Sequence, residues 1–298
     1  MKNRGIFSGY HPAVNLLYFI AVLAFGMIFM HPVCLLLSVS CAFGYAVSLN
    51  GRKAVKFGLA FLLPMMVLAA LLNPAFNHQG GTILTYLPGG NPLTLESIAY
   101  GLAASLMLAG VISWFSCLNA VMTSDKFVYL FGRVIPALSL ILSMALRFVP
   151  RFIAQAKLIS NAQKCVGRDV SDGSLLQKAR HGLRILSILV TWALENAIET
   201  ADSMKSRGYG LPGRTAFSVY RFCRRDGWAL AFILACGVYV TAGAATGGLY
   251  FRYFPTIRGV FDGAYTLSLF AVYLALGAMP LALNLREDRK WKLITSKI

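Results

Sequence analysis

The chain has 298 residues, 57% of them hydrophobic and 13% charged, with a mean hydropathy of +0.65. Soluble domains carry about 25% charged residues, so this composition excludes a water-soluble globular protein and points to a bilayer. The 28 Lys and Arg against 11 Asp and Glu give a net charge of +17, but the cations are segregated by apolar segments rather than gathered into one basic face, which argues against nucleic-acid binding.

Crossing about 30 Å of hydrocarbon takes roughly 20 helical residues. Apolar runs of this kind are predicted at residues 13–30, 33–49, 57–72, 97–122, 228–250 and 263–285, giving about six spans. The first run is long and leads straight into the second without an A-x-A type site, so it is expected to stay as an anchor rather than be cleaved. The stretch 73–96 is rich in Gly, Pro and Asn and carries a β-prone run at 82–87, which predicts a structured loop or small hairpin.

Between 123 and 226 the apolar runs, 134–146 and 185–194, are too short to span, so this region is predicted to form helices at the interface. The first helix is expected over 137–167, with Arg147 and Arg151 four apart on one face and Pro150 bending the axis. The second is expected over 175–208, with Glu195, Glu199 and Asp202 aligned on one face and Gly208 stopping it. Three regions follow: 1–122 with four membrane helices, 123–226 as an interfacial region, and 227–298 with two further spans and a basic tail. The fold class is an all-α integral membrane protein.

With the N-terminus inside, 26 of the 28 cations fall on the cytoplasmic side and only Arg252 and Arg258 outside. That asymmetry predicts cytoplasmic N- and C-termini in a multi-pass plasma-membrane protein. Cys34, Cys41, Cys117 and Cys236 lie in or at the ends of spans, while Cys165 and Cys223 lie in the cytoplasmic region, so disulfides are not expected.

Catalytic and metal signatures are not apparent in the sequence. The nearest approach to a phosphate-binding loop, GLPGRT at 210–215, lacks the Lys and the spacing, so ATP hydrolysis is not expected of this chain. His11, His31, His78 and His181 are scattered over different segments, and no metal site is expected. The spans are nearly free of ionisable residues, unlike those of proton-coupled carriers.

Both interfacial helices finish in cation-bearing, glycine-terminated tips, AQKCVGRD and SMKSRGYG. An exposed arginine there suits bidentate docking against a carboxylate on another protein, where lysine would be a looser point charge. The segment SRGYG after ALENAIETADSM resembles the second Ala-Arg-Gly type motif of the transmembrane T component of energy-coupling factor (ECF) transporters. YHPAVNLLYF resembles the entry to that family's first helix, ALRFVPRF its first coupling helix, and AQKCVGRDVSDGSLLQKAR its first motif and linker. The resemblance covers most of the chain and is specific through the order of these segments.

The resemblance implies a non-enzymatic subunit of a prokaryotic ECF-type ABC importer, with no cofactor of its own and with ATP hydrolysed by two partner ABC ATPase subunits. The two tips would dock in those ATPases, and the chain would hold a substrate-binding S component that sets the cargo, a vitamin, metal ion or other micronutrient. Ser206, Arg207 and Gly208 form the expected ATPase-coupling motif. The first motif is degenerate: Cys165, Val166 and Gly167 stand where the family has Ala-Arg-Gly, with Arg168 or Lys164 as alternative cations. Two other readings remain at this point, an integral membrane enzyme acting on lipid headgroups and a stand-alone permease.

Overall fold

The computed structural model describes residues 5–86, 92–168, 174–209, 220–260 and 263–295. Two compact units form, one from Met1–Thr123 with Tyr220–Ile298 and the other from Ser124–Val219.

In the first unit, α1 (Pro12–Ile28) and α2 (Pro32–Asn50) start in the same way, on a His-Pro pair. The imidazole Nδ1 of His11 accepts the Ala13 N–H at 3.3 Å, and that of His31 accepts the Val33 N–H at 3.3 Å. Each proline occupies the first helical turn, where its missing donor costs nothing. A turn at Gly51, in left-handed backbone at φ 54°, leads into α3 (Arg52–Phe57), a π-helical segment Gly58–Leu62, and α4 (Leu63–Phe76).

The strands β1 (Ile83–Tyr86) and β2 (Pro92–Thr94) pair antiparallel, so the β-prone run does form a hairpin. Then come α5 (Leu95–Val121), α9 (Arg224–Ala245), the short pair β3 (Phe251–Arg252) and β4 (Arg258–Gly259), and α10 (Ala264–Thr295). Among the described residues, five helices are long and apolar enough to cross a membrane: Pro32–Asn50, Arg52–Phe76, Leu95–Val121, Arg224–Ala245 and Ala264–Glu287. The remaining apolar helix, α1, has 17 residues, the short end of the roughly 17–25 that a span requires. The protein is thus an all-α membrane protein, as its composition indicates.

The core of this unit is aromatic. Trp114, Tyr18, Tyr45, Phe7 and Phe19 are buried, with the Trp114 ring 6.0 Å from that of Tyr18 in an edge-on arrangement. Two of them are hydrogen-bonded within the helices: the Trp114 indole N–H donates to Ser38 Oγ at 3.1 Å and the Tyr18 hydroxyl to the Gly277 carbonyl at 3.1 Å. With no water in hydrocarbon, such pairing sets which helix faces meet. Small residues fix the closest approaches: a Cβ on Gly101 would lie 2.7 Å from the Ala70 carbonyl oxygen, so α4 and α5 touch backbone to backbone there. Gly243, late in α9, and Gly248 just beyond it receive the Leu269 side chain of α10.

Polar clasps close both ends. At one, the Glu96 carboxylate accepts the Thr82 N–H and, at 2.9 Å, its hydroxyl, tying the hairpin to α5. The Gly81 N–H reaches the Pro255 carbonyl at 2.9 Å and the Tyr253 hydroxyl the Met30 carbonyl at 2.9 Å. At the other, the buried Asp226 carboxylate accepts N–H groups from His11 at 3.2 Å and Cys223 at 2.9 Å. Arg225 there donates to the Gly9 carbonyl at 2.9 Å, its guanidinium 4.3 Å over the Tyr10 ring. Cys34, Cys41, Cys117 and Cys236 are buried free thiols, and Cys165 and Cys223 are exposed ones.

The second unit contains α6 (Ser124–Val134), α7 (Pro136–Cys165) and α8 (Leu175–Ser206). The extended backbone of Ile135, φ −133° and ψ 90°, separates α6 from α7, as proline disfavours the helical region in the residue before it. Within α7, Pro150 is accommodated without interrupting the helix. A capping box opens α8: Gln177 N–H donates to Ser174 Oγ at 3.4 Å and Ser174 N–H to Gln177 Oε1 at 3.0 Å. No residue of this 32-residue helix is buried.

Candidate functional site

The two tips of the second unit close in the same way. At the end of α7, Gly167 has φ 72°, its N–H donates to the Lys164 carbonyl at 2.9 Å, and the next N–H, of Arg168, donates to the Gln163 carbonyl at 2.9 Å. At the end of α8, Gly208 has φ 73°, its N–H donates to the Lys205 carbonyl at 3.0 Å, and that of Tyr209 to the Met204 carbonyl at 3.1 Å. This nested pair of bonds around a left-handed glycine is the Schellman stop, which satisfies the last carbonyls of a helix. A Cβ on Gly167 would meet nothing within 4 Å, so its backbone angle, and not crowding, requires glycine there.

The matched hydrogen bonds set a residue-by-residue correspondence. Val166 and Arg207 are the two C-cap residues, with φ/ψ of −94°/15° and −85°/7°. Cys165 then corresponds to Ser206, Lys164 to Lys205, and Arg168 to Tyr209. Val166 therefore holds the backbone position of Arg207, while Arg168 sits one residue beyond the glycine. The second tip also has a lysine where the first has Lys164, so neither cation occupies the arginine position. Val166 is 64% exposed, an apolar side chain displayed at the end of a helix. Ser206 turns its hydroxyl back onto the Ser203 carbonyl at 2.9 Å, and Arg207 is exposed.

An aromatic contact that the sequence reading did not single out joins α7 to α8. The rings of Phe152 and Trp192 meet edge to face at 5.7 Å, and the Arg151 guanidinium lies 5.5 Å from the Trp192 ring, a cation–π arrangement. From Phe152 to Val166 is 14 residues and from Trp192 to Arg207 is 15, so each tip projects about 21–23 Å of helix beyond the crossing at roughly 1.5 Å per residue. The sequence places both aromatics near the centres of their helices but does not pair them.

On the arm that carries Arg207, α7 and α8 enclose a cleft of about 760 Å³ whose lining includes Arg147, Arg151, Glu199, Ser203, Arg207 and Tyr209. Arg147 and Arg151 share a face as their spacing requires, and that face looks into the cleft with Arg207. Of the three acids expected on one face of α8, Glu199 alone lines it. Three arginines and one carboxylate among its lining residues give the cleft an excess of positive charge. No group of three or more His, Cys, Asp or Glu able to hold a metal occurs among the described residues.

Several apolar side chains of the unit are displayed. Leu183, Val190, Leu194 and Ile198 make an exposed stripe along α8, and Leu146, Val149 and Ile153 a second one along α7.

Residues 10–217 match the family model of CbiQ, described as a cobalt transport protein. The chain is 30% identical over 251 residues to the energy-coupling factor transporter transmembrane protein EcfT of Bacillus selenitireducens, an alignment covering 80% of this chain and 92% of that protein. It is 29% identical over 188 residues to the EcfT of Streptococcus equi subsp. equi, covering 59% of this chain and 69% of the relative. With the EcfT of Lactobacillus helveticus the identity is 39% over 111 residues, 37% of this chain and 40% of that one. The matched region contains the six apolar stretches only in part but holds both glycine-stopped tips and the crossing between them, and on that ground the chain belongs to the CbiQ family, the transmembrane T components of energy-coupling factor transporters.

Proposed function

We propose that this chain is the mechanical link of an ECF-type importer, carrying ATP-driven motion from two ABC ATPase subunits to a substrate-binding S component. The observation that supports this most is the pair of identically closed tips at nearly equal distances from one aromatic crossing. Two equal arms about one contact suit two ATPases that approach each other on binding ATP, since each socket displaces one arm. Arg207, with Arg147 and Arg151 in the same cleft, would receive a carboxylate from one ATPase. The exposed apolar stripes of α7 and α8 would carry the S component, whose own pocket selects a vitamin, metal ion or other micronutrient. Hydrolysis belongs to the ATPases; this chain supplies no catalytic group and needs no cofactor. The 26:2 division of cations supports placing the tips and both termini in the cytoplasm of a prokaryote.

The test is co-purification and uptake. A tagged chain expressed with its ATPases and S component should bring down both ATPases in stoichiometric amounts, and Arg207→Ala should lower ATP-driven uptake at least tenfold. Recovery of the chain with no ATPase, or wild-type uptake by the variant, would overturn the coupling role.

A further inference from the structure

We propose that the first unit holds a selective site for an anionic glycerophospholipid, on the outer face of α2, α4 and α5. The segment Arg52–Phe76 opens on three cations and is apolar from Phe57 to Leu72, yet almost none of its apolar part is buried, so it rests on α5 along one edge and leaves a gap beside α2. That gap is a slot of about 460 Å³ walled by Phe43, Leu59, Leu63, Val67, Leu102 and Ala109. Its volume lies within the roughly 300–1,000 Å³ of ordinary ligand sites. A run of methylenes fits an apolar slot of this volume.

A second cavity, of about 260 Å³, adjoins the slot: Phe43, Leu62 and Ser113 line both. The second one is lined in addition by Asn50 and Lys53, so the apolar slot leads to a polar, cationic mouth. Arg52 and Lys56 flank Lys53 in sequence, and all three are exposed. No carboxylate lines either cavity, and residues 1–95 contain no Asp or Glu at all. An apolar channel for one chain that ends at unneutralised cations matches a lipid with one acyl tail in the slot and its phosphate at Lys53. Basic recesses between membrane helices recognise anionic headgroups by this chemistry.

The backbone is adapted to hold the slot open. Gly58 begins the π-helical segment, and a Cβ there would lie 2.7 Å from Cε2 of Phe43. Glycine therefore lets the Phe43 ring lie against the segment at the junction of slot and mouth. Single π-turns inside helices often mark such places. Since lipid tails are as apolar as the slot, tail insertion gives little preference among lipids. Selectivity must come from the headgroup, about fivefold for each cation beside it.

The experiment is native mass spectrometry of the full chain in micelles holding equal amounts of dioleoylphosphatidylglycerol and dioleoylphosphatidylcholine. The anionic lipid should be retained preferentially, Lys53→Ala should lower that preference about fivefold, and Arg252→Ala, far along the chain in the β3 strand, should not. Val67→Trp, which fills the slot from its exposed side, should reduce retention of both lipids. Equal retention of the two lipids, or an unchanged preference in Lys53→Ala, would overturn the site. Retention that survives Val67→Trp but is competed away by inorganic phosphate would reduce it to headgroup adsorption and equally overturn it. These readouts use the chain alone, so they stand apart from the ATPase assays.

Discussion

Two single side chains carry consequences that can be measured separately. The Schellman stops put Val166 and Arg207 at equivalent backbone positions, so the tips offer different chemistry, apolar at the first and cationic at the second. In the proposed coupling role, losing a charge-assisted contact at Arg207 removes about 2 kcal/mol, a factor of about 30 in affinity. ATPase pull-down with Arg207→Val should fall by about that factor, with Arg207→Lys in between because the ammonium lacks the bidentate fork. Val166→Ala should weaken binding less than fivefold, as only apolar contact is lost there, and equal losses from the two substitutions would refute the asymmetry. His31 is the other such residue. Its Nε2–H donates to the Val260 carbonyl at 3.2 Å while Nδ1 accepts the Val33 N–H, so the neutral ring fills both roles and a second proton has no place. Burial lowers its pKa from the ordinary 6.5, the bond to Val260 offsetting this in part. Above 6.5 both folded and unfolded chains hold it neutral; as the pH falls below that value the unfolded chain takes up a proton first, and stability declines until the folded-state pKa is passed. The unfolding midpoint should therefore drop between pH 7.5 and 5 by more in wild type than in His31→Asn, which keeps a cap acceptor and a donor; parallel curves would exclude the mechanism.

At the level of elements, function in the proposed role depends on where a helix stops and which way its last residue faces. Gly208 is left-handed at φ 73°, so Gly208→Ala strains the stop by about 1 kcal/mol and should lower uptake while leaving membrane insertion intact. Rotation is a sharper probe. Two alanines inserted between Ala201 and Asp202, both exposed, turn the tip by about 200° and advance it by about 3 Å. That swings Arg207 out of the cleft it shares with Arg147 and Arg151, and uptake should be lost at unchanged expression; retained uptake would show that the heading of the tip is immaterial. Much of this level is legible in the sequence because its signals are local: the two tips from their glycines, the shared face of Arg147 and Arg151 from their spacing of four, the hairpin from a β-prone run between turn residues. The helix α6 is less so, being only 11 residues long and delimited by the backbone of one residue before a proline. The Phe152–Trp192 crossing was hidden because sequence spacing carries no information on which of several aromatics on two helices meet. The π-helical segment was likewise unmarked, since nothing in GLAFL distinguishes it from ordinary apolar helix.

At the scale of the whole molecule, the exposure of its thiols and the placement of its cations give a labelling experiment that tests the expected sidedness. The exposed thiols Cys165 and Cys223 and the buried thiols Cys34, Cys41, Cys117 and Cys236 make the native chain a ready topology reporter, because only the first two can meet a water-soluble maleimide. Cys165 belongs to the first tip and Cys223 opens α9 beside the polar clasp of Asp226, and both lie in the stretch that holds most of the cations. Loops rich in Lys and Arg are retained on the cytoplasmic side, so neither thiol should react in intact cells. Both should react in inside-out vesicles, and Cys165→Ser with Cys223→Ser should abolish that signal. Thr256, exposed in the segment between β3 and β4, lies in the cation-poor loop, where Arg252 and Arg258 are the sole cations; Thr256→Cys in the background lacking the two exposed thiols should be labelled in intact cells and protected in inside-out vesicles. The arms and their arginine would face the compartment that holds ATP only with this orientation. Labelling of Cys165 from outside intact cells would therefore remove both the orientation and the coupling role that depends on it, whereas the lipid site, argued from cavities within the first unit alone, would be untouched.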